Sequence, residues 1–152
     1  MLDVLDRLIA WNRWANLTVF GPLQASGGEP GKALAAFQHV LETELVWLRW
    51  MDGDPDAWFD PWQPASLDRC RDWLTETDER MGRLANTLEA RFDATFEFVT
   101  PWAGRQTARV SDALPHVLMH SSQYRGEAAG FLNAAGHTIP DIDYMRWLTV
   151  PQ

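Results

Sequence analysis

The stretch Leu67–Leu88 constrains this chain most. Leu67, Cys70, Leu74, Thr77, Met81, Leu84 and Leu88 recur in alternating steps of three and four. That is a heptad seam, the pattern that helices packed antiparallel along their length require. Ser66 stands immediately before it as an N-cap. Cys70 lies on the seam, so burial is the expectation for it rather than reactivity.

Two further stretches share the helical period. Over residues 3–20, Leu5, Leu8, Ile9, Asn12, Ala15 and Val19 fall on one face, and Gly21-Pro22 is expected to close the helix. From about Lys32 to Met51, Leu34, Phe37, Leu41, Leu45 and Leu48 form a stripe that Val40, Trp47 and Met51 widen. Only the Gln38, Glu42 and Arg49 side reads as solvated, so this helix is expected to be central. A last helix is predicted from Ser111 or Asp112, with Pro115 in its first turn, to about Ala135, where Gly136 suits the C′ position.

Between these helices the period fails. Residues 52–65, DGDPDAWFDPWQPA, are long for a loop in a compact domain, and Trp58, Phe59 and Trp62 predict that it packs down over something. TFEFVT and RQTARV flank Pro101–Gly104 and read as a hairpin, which must lie on the helices to be stable. The sum is one all-α domain over residues 1–152: four long helices, a minor β-hairpin before the last of them, and a short C-terminal turn at IDYMRWL.

Composition narrows the functional classes. The 13 Lys and Arg against 21 Asp and Glu give a formal net charge of −8, which opposes binding to a phosphate backbone. One cysteine permits no intrachain disulfide. The N-terminus lacks a signal peptide's apolar region, and no stretch has the length of apolar residues a membrane span needs. A cytoplasmic protein without nucleic-acid or membrane partners is expected. Nine tryptophans exceed what a core of this size absorbs, so some are expected at a cleft or interface.

The segment HVLMHSSQYRGE, residues 116–127, carries the chemistry. At about 100° per residue, His116, His120, Gln123, Tyr124 and Glu127 share one stripe of the last helix, while Arg125 lies away from it. Such a face suits a polar pocket inside a bundle better than an apolar seam. Histidines at i and i+4 can ligate one metal ion together, although such a pair is more often structural. On the second helix His39 lies at the margin of the apolar arc, with Thr43 and Trp50 along the same side. Glu44 falls inside that arc and, as a buried carboxylate, needs a partner, a proton or a metal. His137, after Gly136, is expected to be exposed. No nucleophile elbow, P-loop, GxGxxG or CxxC is present.

Taken in order, WNRWAN (Trp11–Asn16), His39 with Glu44 and Trp47 downstream, HVLMHSSQYRGEAAGFLNAAG and TIPDIDYMRWL resemble the DinB/YfiT-like superfamily of small bacterial metal-dependent proteins. The resemblance covers nearly the whole chain. It implies an up-down-down-up four-helix bundle that often forms homodimers. It also implies a metal site of one histidine from helix two and two from the last helix at i and i+4. Carried over, these positions are His39, His120 and residue 124, which here is Tyr; Glu127 also replaces the family's Gln. Three outcomes follow: Tyr124 ligates as phenolate, His116 or Glu127 substitutes, or the site is empty and Tyr124 hydrogen-bonds to a histidine.

The resemblance implies a divalent metal, Zn or Ni and also Fe or Mn, and a low-molecular-weight thiol. It implies transfer, isomerisation or hydrolysis, with Tyr124, Glu127 and Glu44 as candidate proton carriers. The alternatives are a metal-free bundle that holds a small ligand in a tryptophan-rich pocket, and a structural homodimer.

Overall fold

The computed structural model describes residues 2–59 and 63–149. In chain order these form α1 (Leu2–Ala25), α2 (Gly31–Met51), α3 (Leu67–Arg91), β1 (Thr95–Thr100), β2 (Gly104–Arg109), α4 (Val110–Ala134) and a single turn, α5 (Tyr144–Trp147). The strands pair antiparallel, with Thr95 opposite Arg109 and Thr100 opposite Gly104.

The core falls into layers that fix the direction of each helix. One joins Leu5 and Ile9 of α1, Leu48 and Met51 of α2, Leu84 and Leu88 of α3, and Val110 to Leu118 of α4. The other joins Val19 and Leu23, Phe37 and Leu41, Cys70 and Leu74, and Ala128 and Leu132. The start of α1 thus lies beside the ends of α2 and α3 and the start of α4, which is the up-down-down-up order. The heptad seam of α3 is buried as its spacing predicts, with Cys70 and Met81 fully enclosed. As the up-down-down-up order requires, α3 runs antiparallel to α1 and parallel to α2. Arg49 and Arg80 share the Glu76 carboxylate at 2.8 Å, and Arg80 also reaches Asp52 at 2.6 Å, an array that ties the lower halves of α2 and α3 together.

Several boundaries depart from the sequence reading. α1 does not stop at Gly21-Pro22 but carries Pro22 inside it and ends at Ala25. Proline there forfeits one backbone bond, and the complete burial of Leu23 offsets the loss. α4 begins at Val110, with Arg109 at the N-cap and no side chain capping it, in place of the Ser111 or Asp112 start. Ser66 does cap α3, accepting from the Arg69 amide, and Asp143 caps α5. At the end of α4, Gly136 has φ +89°. The His137 and Gly136 amides donate to Leu132 and Asn133, the bond pair of a Schellman cap. His137 is half-buried rather than exposed.

The largest correction concerns α2. Gln38 and Glu42, expected on a solvated side, are 4% and 7% exposed. The chain entering α3 covers that side: Gln38 Oε1 accepts from the Ser66 amide at 2.9 Å, and Gln63 lies beside Glu42. Phe59 packs down against the core, as the loop's composition predicts, and Trp58 stacks on Trp50 while staying 38% exposed; Trp62 lies outside the described residues.

Candidate functional site

α2 and α4 face each other along most of their length, and their polar positions converge at one level. The ring centroids of His39 and His120 are 5.0 Å apart. Tyr124, one turn beyond His120, lies 4.6 Å from each of them. His116, one turn the other way, lies 6.0 Å from His120 and packs edge-on to Trp47 at 5.2 Å. His116, His120 and Tyr124 of the stripe inferred on the last helix therefore meet the histidine inferred on the second, while Gln123 and Glu127 of that stripe are exposed.

They meet at the end of a cavity of about 320 Å³, at the small end of the ~300–1,000 Å³ typical of ligand sites. α2 supplies His39, Glu42, Thr43 and Val46 to its wall. Trp47 and Trp50 stand nearly perpendicular to each other at 5.0 Å and make an aromatic corner. Trp58 and Phe59 close one side from the loop, Phe98 and Thr100 of β1 form the floor, and Trp102 of the hairpin turn stands at the rim, 75% exposed. His116 and His120 come from α4. The hairpin, marginal as two strands alone, is held in place by this aromatic layer.

The electrostatics of the polar end are uneven. Burial, and then the neighbouring imidazoles of His39 and His116, push His120 down to about 4, so its ring is neutral at neutral pH. Its Nδ1 is buried and has no hydrogen-bond partner among the described residues. His39 Nδ1 lies 3.5 Å from Glu42, and the Gln63 amide lies 3.4 Å from the other Glu42 oxygen.

Glu44, a candidate proton carrier, points elsewhere. Its carboxylate accepts from Asn12 at 2.8 Å and from Asn16 at 3.0 and 3.1 Å. Arg125 Nη1 donates to the carbonyl oxygens of the same two amides at 2.7 and 2.8 Å. This network fills the bundle's centre away from the cavity, so Glu44's need for a partner is met by α1. Glu127 is exposed and does not line the cavity. Tyr124 touches both imidazoles ring to ring, and among the described residues no hydrogen bond joins its hydroxyl to either.

Glu42 is the site residue that sequence reasoning missed. Its position three residues after His39, one turn along the same helix, was the available signal. Asn12 and Asn16 carried another: two amides at i and i+4 on an otherwise apolar face.

Against a family metal centre the donor set is incomplete. Two imidazoles face each other, but the third position offers a phenol whose ring packs edge-on to His39. Among the described residues no three His, Cys, Asp or Glu side chains are grouped to hold one ion. The unpartnered Nδ1 of His120 is the one feature that fits a ligand in waiting.

Fold and site together define a helical bundle with an aromatic cavity whose polar end is built on two facing helices. The chain belongs to the DinB family, whose profile matches residues 1–151. It is similar to the Protein DinB of Bacillus subtilis (strain 168), at 22% identity over 97% of this chain and 95% of the relative. No solved structure matched the chain. Among the described residues, no helix is long and apolar enough to cross a membrane.

Proposed function

We propose that this protein binds a small organic molecule in the cavity between α2, α4 and the hairpin, with His39, Glu42, His116 and His120 as the polar end that orients it. One observation carries the reading: a half-open, aromatic-walled space of about 320 Å³ in which His39, Glu42, His116 and His120 cluster together, the usual make-up of a ligand site. Filling the space tests it. Val46→Trp should abolish the tryptophan-fluorescence response to small aromatic probes such as p-cresol while the fold is kept. Undiminished binding in the filled variant would place the ligand elsewhere and refute the reading.

A second, metal-dependent reading is favoured by the neutral, unpartnered His120 imidazole facing His39. His39 and His120 would hold a divalent ion such as Zn or Ni, with Tyr124 or His116 nearest to complete the set. A bound ion would supply acidification of a thiol or water. Glu42, beside Nδ1 of His39, would fix that ring's orientation, as carboxylates do behind ligating histidines. The tryptophan walls would exclude water from a low-molecular-weight thiol and its electrophile. Elemental analysis of tag-free protein beside His120→Ala decides this. Near-stoichiometric metal lost in the variant supports it, and no metal in either sample after incubation with Zn and Ni overturns it.

A further inference from the structure

Glu42 and its surroundings say what kind of molecule the cavity takes, an inference that rests on the ligand-binding reading above. Glu42 is 7% exposed, yet among the described residues its only hydrogen-bond partners stand at 3.4 and 3.5 Å. Those distances are at the outer limit of hydrogen bonding. A carboxylate removed from water needs close donors or a cation. Glu44, two residues on, is supplied with three bonds of 2.8 to 3.1 Å by Asn12 and Asn16. Among the described residues Glu42 has no such set, and the open space it borders is the cavity.

Among the described residues no Lys or Arg lines that cavity. Arg49, which lies over the Phe59 ring at 5.2 Å, is itself committed to Glu76 at 2.8 Å. The walls are ring systems: Trp47 and Trp50 at 83° to each other, Trp58 stacked 6.3 Å from Trp50, and Trp102 edge-on to Trp58 at 5.2 Å. Aromatic faces carry negative electrostatic potential, and tryptophan attracts cations most strongly of the aromatic side chains. A tryptophan-walled space with, among the described residues, one carboxylate and no fixed positive charge selects a cation with apolar bulk. A small hydrated ion would gain little from such walls.

We infer that the cavity binds an organic cation of the alkylated-ammonium class, its charged head held between the tryptophan faces and Glu42. The chain's net charge of −8 favours approach of such a ligand.

Isothermal titration of chelator-treated full-length protein with choline and with its uncharged isostere 3,3-dimethylbutan-1-ol provides the test. Choline should bind, and the isostere at least ten-fold more weakly. Glu42→Gln should erase that difference in a chain that still melts cooperatively, and Trp102→Ala, an exposed rim change, should weaken choline by about two- to five-fold. If the Glu42 variant does not fold, the comparison of the two ligands on the unaltered protein decides alone. Equal affinity for the two ligands, or choline binding unchanged by Glu42→Gln, overturns the inference. If choline fails while p-cresol still binds and is displaced by Val46→Trp, the cavity reading stands and the cation inference falls. If neither binds, both fall.

Discussion

Arg125 and Glu44 form an ion pair that never touches. The guanidinium and the carboxylate are joined through Asn12 and Asn16, whose carbonyl oxygens accept from Arg125 and whose amide groups donate to Glu44. All four side chains are at most 1% exposed. Burial pulls Arg125 down to about 10 against the opposing pull of Glu44. Among the described residues its Nε and Nη2 have no hydrogen-bond partner, but its guanidinium lies over the Trp11 ring at 4.8 Å, which offsets part of the deficit. α1 supplies both amides and the ring, so the network locks α1 to α2 and α4.

Removing one end of such a pair strands the other. Arg125→Met should lower unfolding stability by about 3–5 kcal/mol, read by urea denaturation. Arg125→Lys should rescue little, because a compact ammonium cannot reproduce the guanidinium's planar fork. Adding Glu44→Leu to Arg125→Met should recover part of the loss. A single-variant loss below 1 kcal/mol would contradict the network's role.

Acid should weaken the fold in two separable windows. His120 has its folded value lowered to about 4 from an ordinary 6.5, so between these values the unfolded chain binds a proton that the folded chain refuses. The contribution is present above pH 6.5 and is lost as pH falls toward 4. Glu76 behaves as a depressed carboxylate: burial alone would raise it, but Arg49 and Arg80 outweigh burial and hold it below its ordinary 4.5. Its contribution is present above 4.5 and is lost as pH falls further. Denaturation series at several pH values should show both, and His120→Gln should flatten only the first.

Cys70 should be inert to thiol reagents in the native protein. It is fully buried, and burial pushes its thiol up to about 12, far from the thiolate that reacts. Ellman's reagent should label it only at the rate of unfolding. Stoichiometric labelling within minutes in native buffer would contradict the burial.

Gln38 anchors the chain where it enters α3, so Gln38→Ala should loosen residues 52–66 without melting the bundle. The Ser66 amide would lose its acceptor, at about 1–3 kcal/mol if it stays buried. Limited proteolysis should cut this connection faster in the variant, and an unchanged cleavage rate would count against the anchor.

The bundle was legible in the sequence because helix packing writes its period locally: the Leu67–Leu88 seam and the wide stripe on α2 are both buried as their spacing predicts. The histidine stripe was legible for the same reason, since His116, His120 and Tyr124 share a face by helical geometry alone. What resisted was anything set by a partner distant in the chain. Gln38 and Glu42 looked solvated because periodicity cannot say which loop covers a polar side. Glu44 plainly needed a partner, but that Asn12, Asn16 and Arg125 would provide it depends on the meeting of α1, α2 and α4. The end of α1 was misread because Pro22 and Gly21 are local stop signals, and the burial of Leu23 overrides them.

The parallel course of α2 and α3 has an architectural consequence. A helix of 21 residues rises about 32 Å, and a chain leaving its far end must travel back that whole distance before a parallel neighbour can begin. The connection over residues 52–66 can extend to about 50 Å, enough for the return with slack. Its length is therefore a requirement of topology, and its passage beside α2 brings Trp58 and Phe59 to the pocket. In this scaffold a mandatory return route doubles as a wall of the cavity: its residues can be exchanged to reshape that space, while deletions that shorten it would break the helix order itself.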